Sequence, residues 1–334
     1  MKSIFLCESE FNLNRVYAKS LTEELKHTAG LYTDKIYVKS DILENPDRFS
    51  DTRYIFSTWG MPVFEENEIK RCFPSLKCIF YAAGTVQSFA RPFLNCGVKV
   101  FSAWAANAIP VAQYTTAQIV LALKGYFCRE SVSCLSDWKA MKKRFAEYPG
   151  IYGEKVGIIG AGMIGKLVIG NVKALGLDCL VFDPFLPDEK ANKLGVEKCT
   201  LEKLFKECFV ISNHLANNAE TRGMLNYALF SAMRKNSVFI NTGRGAQIIE
   251  KDLFKILNER PDITALLDVT VTEPPEENSE FYTLKNCFLT PHIAGSSGNE
   301  VHRMAEYMRD EFNRFESKNS CLYEVTAKML ETMS

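Results

Sequence analysis

Short apolar runs of four or five residues punctuate this chain. Stretches whose apolar positions recur at helical spacing separate them. In the first hundred residues the runs fall at 3–7, 35–38, 54–57, 77–81 and 98–102. After residue 150 they fall at 156–159, 179–183, 208–212, 237–241, 264–268 and 287–290. Continuous runs of this length, rather than alternating ones, suit strands buried on both faces of a parallel sheet. Helices are expected over 12–27, 64–72, 107–124, 131–145, 167–175 and 298–318, with Pro110 tolerated near the start of its helix. Strands alternating with helices imply doubly wound parallel sheets, which bind ligands at the carboxyl ends of their strands. The loops after the strands are therefore where chemistry is sought. In the first half these loops hold Trp59 and the run Ala83, Gly84, Thr85. Trp59 reads equally well as a partly buried packing residue.

Composition narrows the classes. A chain of 334 residues, 47% apolar, is enough for two domains with sizeable cores. Forty basic side chains balance forty acidic ones with no basic patch, which argues against nucleic acid as a partner. The opening MKSIFLCESEF turns acidic too soon for a signal peptide, and no apolar run reaches the length of a membrane span. Eleven scattered cysteines without C-x-x-C spacing, several within apolar runs (Cys78, Cys179, Cys208, Cys287), read as reduced core thiols of a cytoplasmic protein. Four widely separated histidines without H-x-x-x-H spacing argue against a metal site, and none is assigned. The helices at 107–124 and 131–145, the latter with an exposed-looking Trp138, either cross between domains or meet a partner subunit.

The most informative stretch is KVGIIGAGMIG, residues 155–165. A strand leads into Gly160-Ala-Gly162-Met163-Ile164-Gly165, a G-x-G-x-x-G turn, and a helix follows. Gly160 permits the tight turn, Gly162 lets a pyrophosphate approach the backbone, and Gly165 lets the helix pack on the strand. The helix start, at Met163 and Ile164, offers unpaired N–H groups and a positive dipole end to phosphates. The next strand ends in Asp183, where a dinucleotide-binding unit places the carboxylate that grips the adenosine ribose. A carboxylate there repels a 2′-phosphate, and no Arg follows it in Pro184-Phe185-Leu186, so NAD is expected over NADP.

Three later strand ends carry unusual chemistry: Asn241 into Thr242-Gly243-Arg244-Gly245, Asp268 towards Glu273-Pro-Pro, and Thr290 into Pro-His292-Ile-Ala-Gly295. In a parallel sheet all three emerge at one edge, so an Arg, a Glu and a His form a candidate reaction centre. With GIIGAGMIG and Asp183, NTGRG, LDVTVTEPP and TPHIAGSS, the chain resembles the D-isomer-specific 2-hydroxyacid dehydrogenase family. HLANNAETRGMLN and GTVQSF match more weakly, and the first eighty residues match in pattern only.

The resemblance implies two doubly wound α/β domains. One is a Rossmann NAD-binding domain over 107–299. The other is a discontinuous, flavodoxin-like substrate domain over 1–106 and 300–334. It implies an oxidoreductase interconverting a 2-oxo acid and a (D)-2-hydroxy acid, and a homodimer. His292 would be the acid/base and Glu273 would hold its tautomer. Arg244 would hold the substrate carboxylate and oxo group. Asp268 would bind the nicotinamide carboxamide, and Thr242 and Gly295 would complete the cofactor contacts. His214 would line the cofactor site, or pack. Backbone N–H groups of Ala83 and Gly84, with Thr85, would cradle the substrate carboxylate beside Trp59. Some positions depart from the family's usual residues: Gly243 (commonly Ala), Val86 (Asp or Asn), Phe89 (Asp) and Ala216 (Pro). Phe89, Trp59 and Met61 suggest a roomier or more apolar substrate pocket. Two alternatives use the same fold: an NAD(H)-sensing corepressor-like protein with little turnover, and a phosphite-type dehydrogenase.

Overall fold

A computed structural model describes residues 2–128 and 132–331. The chain forms two compact units, Met1–Asn107 with Ser296–Ser334, and Ala108–Gly295. Each is an α/β unit built on one sheet.

The first unit's sheet takes β1 (Ser3–Leu6), β2 (Leu31–Tyr37), β3 (Tyr54–Ser57), β4 (Cys78–Tyr81) and β5 (Lys99–Ser102) in the parallel order β2-β1-β3-β4-β5. That is the flavodoxin-like winding. The second sheet contains β6 (Lys155–Ile159), β7 (Asp178–Phe182), β8 (Glu197–Lys198), β9 (Val210–Asn213), β10 (Val238–Asn241), β11 (Thr264–Leu267) and β12 (Cys287–Leu289). Their order is β12-β11-β10-β9-β6-β7-β8, all parallel, with the winding reversing between β6 and β9. This is the dinucleotide-binding arrangement with one added edge strand. A last strand, β13 (Glu324–Val325), joins β5 antiparallel in the first sheet.

The strands are continuous apolar runs because both faces are covered. In the first unit Ile4, Leu6, Ile55, Ile79 and Val100 fill one side. Phe5, Phe56, Phe80 and Phe101 fill the other, facing one another in register across four strands. Phe80 stacks on Phe101 at 5.1 Å between centroids, and Phe312, from the helix Glu300–Glu316, closes edge-on over Phe80. The second sheet divides likewise, with Ile158, Val181, Val210 and Ile240 on one face and Ile211, Phe239, Ala265 and Leu267 on the other.

The structure differs from the pattern reading where tertiary packing overrules local spacing. The helix expected over 12–27 is two, Glu10–Val16 and Lys19–Ala29. Tyr17 breaks it by turning its ring into the core, where its hydroxyl lies 3.3 Å from the Ser57 carbonyl. β2 starts at Leu31, and its polar Thr33 to Lys35 segment coincides with a register shift against β1. The helix Trp104–Leu123 starts three residues early, so Pro110 lies inside it. The helix after the glycine turn, Met163–Ala174, starts at once on Gly162. The helix expected over 131–145 runs Leu135–Phe145, and the expected start at Ser131 lies outside the described residues. Cys78, Cys179, Cys208 and Cys287 are buried free thiols. Among the described residues no helix is long and apolar enough to cross a membrane.

Candidate active site

The glycine turn leaves β6 with Gly160 at φ +90°. A Cβ on Gly165 would lie 2.0 Å from the Gly160 carbonyl oxygen, so only glycine lets the helix seat this close to the turn. Gly162 meets nothing within 4 Å of where a Cβ would stand. It also gives the first helical turn, with Met163 and Ile164, no side-chain cap. Asp183 follows β7 and closes over the turn, with one carboxylate oxygen accepting Ala161 N–H at 2.7 Å and the other Phe185 N–H at 2.8 Å. Open space at Gly162, uncapped N–H groups and an adjacent carboxylate with spare lone pairs fit a dinucleotide's pyrophosphate and ribose. His214, after β9, presents its backbone to this turn, since a Cβ on Gly160 would strike the His214 carbonyl at 2.9 Å. Its ring is buried, with Nε2 2.9 Å from Ser212 Oγ and Nδ1 without a partner among the described residues. Burial pushes its pKa down to about 3, so the ring is neutral.

The second group gathers at the ends of β10, β11 and β12. His292 Nδ1 lies 2.7 Å from Glu273 Oε2, and both side chains are substantially exposed. The other Glu273 oxygen accepts Thr270 N–H at 3.3 Å. His292 sits at φ +53°, a left-handed backbone that costs a non-glycine residue and needs outside support. Asp268 supplies it. Its buried carboxylate accepts Thr290 Oγ1 at 2.6 Å, Ile293 N–H at 2.8 Å and Ala294 N–H at 2.9 Å, and its carbonyl accepts His292 N–H. Asp268, expected at the cofactor carboxamide, thus holds the turn that carries His292 up to Gly295. Tyr114 extends the support, its hydroxyl 3.2 Å from Thr290 Oγ1. Thr242, also buried, shares a 3.0 Å bond with Thr115.

Arg244 is partly buried after β10, with Nη1 donating to the Gly243 carbonyl at 2.8 Å. Burial lowers its pKa, against a weaker raising influence from the Glu273 charge. The loop reaches Glu273's segment because Gly245 has no Cβ; one would fall 2.0 Å from the Thr270 carbonyl carbon.

In the first unit, Ser102 Oγ bonds the carbonyls of Ala83 (2.9 Å) and Gly84 (2.5 Å), fixing the loop after β4. Ala83 departs from expectation. It is fully buried and its N–H already donates to the Tyr81 carbonyl at 2.9 Å, because the chain makes a three-residue turn there. Gly84 and Thr85 N–H donate to nothing among the described residues. The expected apolar pocket is also corrected. Phe89 and Met61 are core residues, with Phe89 4.9 Å from the Tyr81 ring, because the loops after β3 and β4 fold these apolar positions inward. Trp59 is half-buried against the cores on both faces of that sheet.

Sequence reading missed Ser102, Asn213, Gln247 and Tyr114, and saw Thr290 only as the end of its strand. Their partners lie on other strand ends, so no local spacing marks them.

The winding order, glycine turn and strand-end constellation define a dinucleotide-binding α/β protein. The family model for D-isomer specific 2-hydroxyacid dehydrogenase, NAD binding domain, matches residues 120–294, just over half the chain. This chain belongs to that family and carries its NAD-binding domain. The D-3-phosphoglycerate dehydrogenase of Methanocaldococcus jannaschii is 33% identical over 210 residues, 63% of this chain and 39% of that protein. The glyoxylate reductase of Korarchaeum cryptofilum is 29% identical over 276 residues, 80% of this chain and 81% of that one. This chain spans about two fifths of the phosphoglycerate dehydrogenases it matches. In fold it is similar to the apo D-mandelate dehydrogenase of Rhodotorula graminis, with a TM-score of 0.80 at 18% identity over 97% of each chain.

Proposed function

We propose that this chain is an NAD-dependent oxidoreductase interconverting a 2-oxo acid and a (D)-2-hydroxy acid. The observation that carries the reading is the 2.7 Å His292–Glu273 pair, half exposed at a strand end beside the Arg244 loop. With Nδ1 engaged by the carboxylate, Nε2 is the nitrogen free to exchange a proton with substrate. In reduction His292 gives that proton to the 2-oxo oxygen, and in oxidation it takes the hydroxyl proton back. Glu273 holds the tautomer this needs. Arg244 offers a guanidinium fork to the substrate carboxylate and charge to the developing alkoxide. The cofactor, when bound, supplies or accepts the hydride at C2. Asp183 favours NAD, because a second negative charge beside it would be repelled. Asp183→Ala is expected to narrow the NADH over NADPH preference in kcat/KM by about tenfold or more, one lost charge repulsion.

The loops after β3 and β4, residues 58–62 and 82–87, contain no cation. That supports a 2-oxo acid without a phosphate group over phosphoglycerate. Eleven free cysteines, one of them the exposed Cys134, support a reducing compartment. An apolar groove lined by Thr116, Ala117, Val120 and Leu121 on the helix Trp104–Leu123 supports pairing with a second copy.

The test is NADH oxidation across glyoxylate, pyruvate and branched, aromatic and dicarboxylic 2-oxo acids. Turnover on one class is expected. Tight NADH binding with no turnover on any of them would overturn the dehydrogenase reading in favour of a sensor or of a non-carbon substrate such as phosphite.

A further inference from the structure

Beneath Arg244 lies a cluster of three amide side chains, Asn213, Asn241 and Gln247, each fully buried. They come from three places: the end of β9, the end of β10 and the single 3-10 turn Gly245–Gln247. Asn213 Nδ2 donates to Asn241 Oδ1 at 3.0 Å and to Gln247 Oε1 at 2.6 Å. The remaining polar atoms reach the backbone. Gln247 Oε1 accepts Arg244 N–H at 3.1 Å, and Asn241 Nδ2 donates to the Arg244 carbonyl at 3.1 Å. Asn241 Oδ1 accepts Gly243 N–H at 3.1 Å. Gln247 Nε2 donates to the Leu215 carbonyl at 2.8 Å, and Asn213 Oδ1 accepts Leu215 N–H at 3.3 Å.

Both the backbone N–H and the backbone carbonyl of Arg244 are therefore clamped by amides, while among the described residues its guanidinium makes a single hydrogen bond, to the Gly243 carbonyl next door. The cluster also closes over Gly243, where a Cβ would stand 3.1 Å from Asn213 Nδ2 and 3.2 Å from Gln247 Oε1. A buried amide network costs free energy wherever one member goes unpaired, and a core could have been filled more cheaply with apolar side chains. A fully satisfied network converging on one backbone unit gives direction to the side chain it carries.

We propose that Asn213, Asn241 and Gln247 are positioning residues that aim Arg244 at the substrate, with Gly243 leaving room for them. The proposal rests on Arg244 being the substrate anchor. It extends that role to side chains that touch neither substrate nor cofactor, and it makes Asn213 the group through which β9 sets the direction of a residue carried by β10.

The experiment is a double-mutant cycle on the full chain, using the 2-oxo acid that turns over fastest. Gln247→Leu is expected to lower kcat/KM by about tenfold or more, because small displacements of an orienting group are costly. Its NADH dissociation constant, read by fluorescence, should stay within about twofold, since the glycine turn is untouched. On an Arg244→Ala background, with no side chain left to aim, the same substitution should add less than about twofold. Gly243→Ala should move in the same direction by a smaller factor, and it serves if Gln247→Leu does not fold. Losses that multiply across the cycle, or a parallel loss of NADH affinity, would overturn the positioning role and leave the anchor reading standing. Unchanged turnover in Arg244→Ala would overturn the anchor reading itself, and this inference with it.

Discussion

At the scale of single residues the chemistry is concentrated on groups whose surroundings leave them one task. His292 is held in a left-handed backbone by Asp268 and through Nδ1 by Glu273. Replacing it with Ala is expected to lower the hydride-transfer rate by about 10²–10⁴, the range for one general acid, while NADH binding survives. Single-turnover kinetics with an NADH titration checks both, and a rate unchanged from the parent would remove His292 from the mechanism. His214 is the opposite case, a buried neutral ring. Its folded pKa of about 3 lies below its ordinary 6.5, so between those values the unfolded chain binds a proton that the folded chain refuses. Its stabilising contribution is therefore complete above pH 6.5 and is lost as pH falls towards 3, at about 1.4 kcal/mol per pH unit. Denaturant unfolding of His214→Gln should show a flatter acid limb in that window. An identical pH dependence would mean that the ring is not buried in solution.

At the scale of elements, strand ends do the organising. β10, β11 and β12 run parallel, so the loops carrying Arg244, Glu273 and His292 have to emerge on one edge. That much was legible from three short apolar runs. The bonds that join these loops were not, because Asn213, Gln247, Thr290 and Tyr114 belong to elements far apart in the chain. The same holds in the first unit. The Glu311 carboxylate, fully buried on the helix Glu300–Glu316, accepts Arg314 Nη1 at 2.7 Å and the N–H groups of Leu322 and Tyr323 at 2.9 and 3.0 Å. It ties the approach to β13 onto that helix. Glu311→Ala would leave a guanidinium and two N–H groups short of a partner. It should lower the unfolding free energy by about 1–3 kcal/mol, the cost of leaving buried N–H groups without an acceptor, since Arg314 itself reaches solvent. Chemical denaturation monitored by tryptophan fluorescence measures this, and a loss under about 1 kcal/mol would show that water replaces the carboxylate.

At the scale of the molecule, two parallel-sheet units divide the chain, and each buries both faces of its sheet. The exposed apolar side chains Val132, Leu135 and Trp138 lie within a single stretch. The groove along the helix Trp104–Leu123 is a further exposed apolar feature, and a second copy of the chain is the occupant proposed for it. Sedimentation equilibrium at micromolar concentration is expected to return twice the chain mass of 37.8 kDa. A single chain's mass would leave that surface without its proposed occupant.

Periodicity, the glycine turn and the residues that close each strand were enough to establish two doubly wound sheets, a dinucleotide site and an Arg, Glu and His set at strand ends. These are local properties: a run of apolar residues, or a turn only glycine can make, has the same meaning wherever the chain goes. Packing decided what depends on neighbours distant in sequence. It put Phe89 and Met61 into the core and bonded the Ala83 N–H to its own turn. It broke a helix at Tyr17 and turned Asp268 onto the backbone around His292. It also assembled three amides beneath Arg244. Whether a polar group is free to meet a ligand depends on whether another part of the chain has reached it first, and only the folded arrangement of the strand ends determines that.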